Sequence, residues 1–426
     1  MNVALALPFY FCSHASVNQS PHDAVSEFAQ PLLTGPSDAA KSTDLNWLDE
    51  PRSNLSCEGD AHFFYIVERN TVQPTKRGMC IDQLAQITKG YDLDEITLAT
   101  LCSHTSLQIF HGARKEGFKT LGLAVGKIPK YYDAYPKAKP DDFLVLKSHL
   151  DVLKQAAELR ERNVILIPHG SLVEYLGAEN FMNLSVPTFG NRRALQWESD
   201  RTKSREWLTS AGVPMPREIR DPRDIASPVI VKFYGAKGGQ GFFLAKNYAD
   251  FEKGIEPGAQ YAIQEFVLGT RFYFHYFYSP LATTGYRLTK GALEMLGIDR
   301  RLEANVDEIY RADFAVQPTF VVTGNIPVVL REKLLEPVFD LGRRVVERSI
   351  ELFGGMIGPF CLETTVTDEL EIKVFEVSAR LVAGTNVYPT GSPYSDFVYD
   401  TMSCGRRIAL EIRNALRTNQ LSDVLS

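Results

Sequence analysis

VIVKFYGAKGGQGFFLA, residues 229–245, runs from an apolar strand into the cluster Gly238-Gly239-Gln240-Gly241 and straight back into an apolar strand. The cluster has the composition of a phosphate cradle. Phe242-Phe243 follows it, however, where a P-loop needs Gly-Lys-Ser or Gly-Lys-Thr opening a helix. No strand, G-x-G-x-x-G and helix occur in succession either, so a dinucleotide fingerprint fits poorly. Lys232 sits inside the first strand. Burying an ammonium without a partner costs several kcal/mol or neutralises it, and an anionic ligand beside it removes that cost.

Working outward toward the C-terminus, YAIQEFVLG (261–269) places Glu265 before an apolar strand end. GPFCLETTVTDELEIKVFEVSAR (358–380) reads as two antiparallel strands joined near Thr367-Asp368, which sets Glu363 close to opposite Glu376. Two carboxylates on one face of a hairpin repel unless a cation lies between them, and Mg²⁺ held through one or two carboxylates plus nucleotide phosphates is the economical explanation. The plainer alternative is a pair of solvated glutamates on an exposed sheet face. Arg380, four residues beyond Glu376, is expected to reach the same phosphates.

Toward the N-terminus the pattern is βα. ITLATLC (96–102), TLGLAVG (120–126), FLVL (143–146) and VILIPHG (164–170) read as strands, with helices over SHTSLQIFHGARKEGF and roughly 148–162. Such alternation implies a parallel sheet whose ligands collect at the carboxyl ends of its strands. Ser103-His104-Thr105-Ser106 and His169-Gly170-Ser171 fall there. Ser103 and Thr105 could be plain helix caps. Caps do not require a histidine, and His104 at a helix N-terminus suits a phosphorylated substrate. A further helix, TKSREWLTSAGVPMPRE, ends at Gly212 and Pro214.

The 426 residues, 44% of them hydrophobic, are enough for two or three domains. A net charge of −6 argues against a nucleic-acid surface. The composition leaves room for subunit contacts, so a homo-oligomer is expected. Cys12, Cys57, Cys80, Cys102, Cys361 and Cys404 lie far apart without C-x-x-C, which suits a reducing cytoplasm. ALALPFYF near the start is too short to span a bilayer and lacks the preceding positive charge of a signal peptide. Residues 1–78 are rich in Ser, Pro, Asp and Asn without sustained periodicity; a disordered extension, or a start at Met79, is expected.

Lysine strand, glycine loop, acid-bearing strand, then paired carboxylates and a distal arginine: in this order the parts resemble the ATP-grasp superfamily. The fold that follows is α/β, a Rossmann-like parallel-sheet domain over 79–190 followed by an ATP-grasp fold of two α+β subdomains, 191–269 and 270–426. By resemblance Lys232 contacts the α- and β-phosphates of ATP, Gly238, Gly239 and Gly241 fold over the phosphates, and Glu265 with Val267 lines the adenine and ribose site. Arg201 stands where relatives usually carry another lysine.

The blocks ATLCSHTSLQIFHGARKEGF, IPHGS, VPTFGNRRALQWESDR, HYFYSPL, LGIDRRLEANVD, VVTGNIPVVLRE, GMIGPFCLE and FEVSARLVAGTN look closer still to the archaeal formate-dependent synthetases of purine biosynthesis. Those enzymes join formate to the amine of 5-amino-4-imidazolecarboxamide ribotide (AICAR) with ATP, giving the formamido product FAICAR. The resemblance implies that His104, Ser171 and Asn305 hold the ribotide, that Glu363 and Glu376 bind Mg²⁺ or Mn²⁺, and that Lys232 and Arg380 are catalytic. It leaves two alternatives: a paralogous ATP-grasp ligase joining another carboxylate to another amine, and a nucleotide-binding regulatory protein without catalysis.

Overall fold

The computed structural model describes residues 88–234, 241–304, 319 and 321–426. The expectations for residues 1–78, for Gly238 and Gly239, and for Asn305 therefore lie outside the described residues.

Strands β1 (Thr97–Leu101), β2 (Lys119–Val125), β3 (Asp142–Leu146) and β4 (Val164–Leu166) form the expected parallel sheet, in the order β3-β2-β1-β4. All five residues of β1 are buried, as a central parallel strand covered on both faces requires. Around it lie α1 (Ser106–Lys115), α2 (Ala156–Glu161), α3 (Gly170–Leu176) and α4 (Ala178–Met182). The single helix expected over 148–162 is instead a 3₁₀ turn, His149–Leu153, followed by α2. Asp151 accepts from the Ser148 backbone N–H at 2.9 Å, so the side chain fixes a tight turn that does not run on into the helix.

Helices α5 (Arg192–Ser199) and α6 (Arg201–Ser210) lead out of this layer, and Asp200 between them caps α6 by accepting from the amides of Thr202 and Lys203. A small antiparallel sheet follows: β5 (Glu218–Ile219), β6 (Val229–Phe233), β7 (Phe242–Ala245) and β8 (Tyr261–Glu265), ordered β5-β8-β6-β7, with α7 (Tyr248–Gly254) on one face. Val229, Val231 and Ile263 pack with Phe251 of that helix in a separate core. The other face of β6 carries Lys232.

The large sheet comprises β9 (Thr270–Ser279), β10 (Tyr286–Arg287), β11 (Ala292–Glu303), β12 (Val322–Pro327), β13 (Gly358–Val366) and β14 (Ile372–Ser378). Its order is β10-β11-β9-β13-β14, with β12 on the far side of β11. Helix α8 (Leu335–Phe353) lays Val338, Leu341, Val345 and Val346 on the sheet. Trp207 of α6 is fully buried against Phe353, with ring centroids 4.9 Å apart, and donates its indole N–H to the Val345 carbonyl at 2.9 Å.

The last helix, α9 (Cys404–Arg417), packs on α1 although sequence order groups it with the large sheet. A methyl placed on Gly112 would lie 2.1 Å from the Arg406 nitrogen, and one on Gly405 would lie 2.3 Å from the Gln108 carbonyl oxygen. These glycines let the two backbones touch. Ser426 and Thr188 exchange backbone hydrogen bonds at 2.9 Å, tying the chain's last residue to the segment beside β4. Among the described residues no helix is long and apolar enough to cross a membrane.

Candidate active site

Lys232 is half-buried at the end of β6, and alternation along the strand turns it away from the small sheet's core. Its ammonium donates to Gln264 Oε1 on β8 at 2.8 Å and lies 6.0 Å from the centre of the Phe375 ring on β14. Burial holds its acidity above that of an ordinary lysine, and the negative charge of Glu376 opposes that shift. The small sheet and the hairpin of the large sheet thus meet at this side chain.

The hairpin has the expected register, with Glu363 on β13 directly paired with Glu376 on β14 and an irregularity just after Glu363. The two carboxylates are not equivalent. Glu363 is 6% exposed and accepts from Arg301 Nη1 and Nη2, both at 3.0 Å, one bond to each oxygen. The guanidinium lies 3.6 Å from the centre of the Tyr273 ring. Glu376 is exposed to solvent, and the charges of Glu363, Lys232, Arg301 and Glu198 act on it. The negative charge of Glu363, and then burial, push its carboxyl up to about 7, with Lys232 and Arg301 working the other way. The alternative of two freely solvated glutamates does not survive this environment.

Arg380 lies beyond the end of β14, and its neighbourhood differs from that expected. Its Nη2 pairs with Glu198 Oε1 of α5 at 2.7 Å, while the same carboxylate accepts from the Ala379 amide at 2.8 Å. A parallel bridge between His169 and Leu381 draws this segment onto the parallel-sheet layer. A methyl placed on Gly170 would lie 2.8 Å from His104 Nε2 and 3.5 Å from Arg380 Cζ. Arg380 therefore faces His104, and its Nε is buried with no protein partner among the described residues.

His104 Nε2 accepts from the Ser171 amide at 3.0 Å, and Ser103 donates to the Ser171 hydroxyl at 2.9 Å. Burial first, and the Arg380 charge second, push the imidazole down to about 4. It is neutral near pH 7, so with Nε2 accepting, the proton is assigned to Nδ1. The positive charge at this end belongs to Arg380. His169, with its ring 4.9 Å from that of His104, is pushed down to about 3 by the same burial, reinforced by His104. The capping role allowed for Ser103 and Thr105 is not what the structure shows: no side chain caps α1. Thr105 has φ 65°, and its hydroxyl turns back to the His104 carbonyl at 2.5 Å.

The remaining expected residues surround these two ends. Glu265 closes β8, and its carboxylate accepts from the Arg217 amide at 3.0 Å; Val267 follows it, half-buried. Arg201 begins α6, and its charge is felt at Lys232. Gly241 accepts from the Phe233 amide at 3.0 Å where the glycine loop rejoins the sheet. Sequence reasoning missed Gln264, Arg301 and Glu198. Each carried a weak signal: a glutamine in an apolar strand, a paired arginine in LGIDRRLEANVD, and an acid in the block ESDR.

As for a divalent cation, no group of three or more His, Cys, Asp or Glu among the described residues could hold a metal alone. Glu363 facing Glu376 nonetheless fits a cation that brings its other ligands with it, since Mg²⁺ is commonly held by one or two carboxylates plus phosphates.

A small sheet carrying a lysine, opposed by a larger antiparallel sheet with facing carboxylates and preceded by a parallel α/β layer, gives this chain the ATP-grasp fold. Comparison with known proteins agrees. Residues 98–219 match a family described as a protein of unknown function (DUF1246), and residues 252–426 match a domain of unknown function (DUF1297). The 5-formaminoimidazole-4-carboxamide-1-(beta)-D-ribofuranosyl 5'-monophosphate synthetase of Methanosarcina acetivorans is 59% identical over 351 residues, covering 81% of this chain and 99% of that protein. The crystal structure of an IMP biosynthesis protein, PurP, from Thermococcus kodakaraensis superposes with a TM-score of 0.62 at 30% identity, covering 77% of this chain and 100% of that one. An N5-carboxyaminoimidazole synthetase from Staphylococcus aureus, crystallised with ADP, shares the fold with a TM-score of 0.50 at 16% identity, over 68% of this chain and 71% of that one. The chain belongs to the family of FAICAR synthetases.

Proposed function

We propose that this enzyme uses ATP and formate to formylate the amine of AICAR, giving FAICAR, ADP and phosphate in IMP biosynthesis. The observation that carries the proposal is the two-ended site: the charges of Glu376 and Lys232 act on each other, while Arg380, four residues on, faces His104, which accepts from the Ser171 amide. One short segment thus serves both a nucleotide end and a small-molecule end.

Formate is a poor electrophile. Its oxygen attacks the γ-phosphorus, the bond from that phosphorus to the bridging oxygen breaks, and ADP leaves. The AICAR nitrogen then attacks the carbon of formyl phosphate, the C–O bond to phosphate breaks, and the amine loses a proton. Phosphoryl transfer asks the protein mainly for positioning and positive charge, which Lys232 and Arg380 supply. Glu363 and Glu376 would hold the Mg²⁺ or Mn²⁺ that accompanies ATP, and bound there it would offset phosphate charge. The uncapped start of α1, with its N–H groups and dipole, favours the ribotide's phosphate, and neutral His104 fixes Ser171 beside it. Acyl phosphates hydrolyse readily, so the proposed route requires water to be kept from the intermediate.

Formate carrying oxygen-18 tests this route. One labelled oxygen per turnover should appear in the released phosphate; unlabelled phosphate from turnovers that form FAICAR would rule out formyl phosphate.

A further inference from the structure

We propose that Arg301 is a resident counter-ion that makes metal binding at Glu363 and Glu376 conditional on nucleotide, an inference that rests on those glutamates being the metal-holding pair. Arg301 is not a surface arginine that happens to touch an acid. Its side chain is 18% exposed and that of Glu363 8%, both oxygens of Glu363 are taken, and the guanidinium is fixed against the Tyr273 ring. Such a fork is pre-organised for a planar carboxylate in a way a lysine is not.

Arg301 and Lys232 act on the two carboxylates Glu363 and Glu376, and the charge of Arg201 reaches Lys232, while Arg205 and Glu198 nearby are paired with Glu218 and Arg380, so anions are not in excess. The neighbouring Arg271–Glu303 pair, at 2.7 Å, adds no net charge. A free divalent cation entering this set brings two positive charges into a group with no excess of anions and must compete with Arg301 for Glu363. Nucleotide phosphates reverse the balance: they engage Lys232 and bring the negative charge that the cation follows. Arg301 thereby prevents the pair from trapping metal without substrate.

Manganese is the probe, with bound and free Mn²⁺ separated by electron paramagnetic resonance on the intact protein. Wild-type protein should bind Mn²⁺ alone at least tenfold more weakly than Mn²⁺ in the presence of ADP. Arg301→Met should tighten binding of Mn²⁺ alone by about tenfold, whereas Arg301→Lys, which keeps the charge and loses the fork, should stay near wild type. Glu376→Gln in the Arg301→Met background should remove the gain, assigning it to this site. Equal affinity of wild type and Arg301→Met for Mn²⁺ alone would overturn the proposal. So would wild-type protein that binds Mn²⁺ as tightly without ADP as with it, a result that needs no variant to fold. Failure of Mn²⁺ to bind even with ADP would overturn the metal assignment itself and the counter-ion role with it.

Discussion

Glu376 is the residue at which charge and function conflict most openly. Its carboxyl is raised to about 7 in the folded protein, chiefly by Glu363, against an unfolded value near 4.3. A carboxyl raised in this way disfavours the folded state once it ionises: the penalty is absent below the unfolded value and complete above the folded one. Glu376→Gln should therefore raise the melting temperature of nucleotide-free protein at pH 8, with the gain shrinking to nothing toward pH 4. The same variant should lower turnover by roughly a hundredfold or more, the scale seen when a transition-state charge partner is lost, while AICAR binding without nucleotide stays unchanged. Melting curves and single-turnover assays check the two halves separately.

His104 makes a second residue-scale prediction. Replacing it with alanine removes the acceptor of the Ser171 amide and opens the space beside Arg380, which keeps its pair with Glu198. AICAR affinity should fall by about ten- to a hundredfold, the scale of a hydrogen bond to a charged group, and ATP affinity should barely move. Because burial and Arg380 keep the imidazole neutral down to about pH 4, wild-type AICAR affinity should show no His104 titration between pH 5 and 8. Isothermal titration across that range decides it.

At the scale of elements, the contact of α1 with α9 holds the start of α1, and hence His104, in place. Alanine at Gly112 would press its methyl into the Arg406 backbone and force the helices apart. The cost should be about 1–3 kcal/mol, as for overpacking elsewhere, and a rise in KM for AICAR larger than that for ATP should accompany it, since only the ribotide end depends on α1. Steady-state kinetics of a folded Gly112→Ala protein with equal changes in both KM values would contradict this placement.

Elements were also where sequence was most legible. The β13–β14 pairing followed from two apolar runs flanking a polar turn, and the register of Glu363 with Glu376 followed from the turn's position. Lys232 stood out because an ammonium in an apolar strand has few explanations. Arg301, Glu198 and Gln264 did not, because each acquires its role from a partner far away in sequence: Glu363, Arg380 and Lys232. Strand alternation says which face a residue takes, and nothing about which distant charge it meets there. The left-handed backbone at Thr105, a costly conformation for a β-branched residue, was equally hidden, since local propensity points to a simple cap.

At the scale of the whole molecule, two sites are joined by one chain segment. The hairpin places Glu363 and Glu376 beside Lys232, the side proposed for the nucleotide, and its continuation brings Arg380 to the parallel-sheet layer through the His169–Leu381 bridge. On the proposed route that arrangement would serve coupling, because formyl phosphate made at one end would have to meet the amine at the other before water does. The most direct test is mass spectrometry of the products formed from protein, MgATP, carbon-13-labelled formate and AICAR. FAICAR carrying the labelled carbon, with one ADP formed per FAICAR, is the predicted result; ADP formed with formate while AICAR stays unmodified would contradict it.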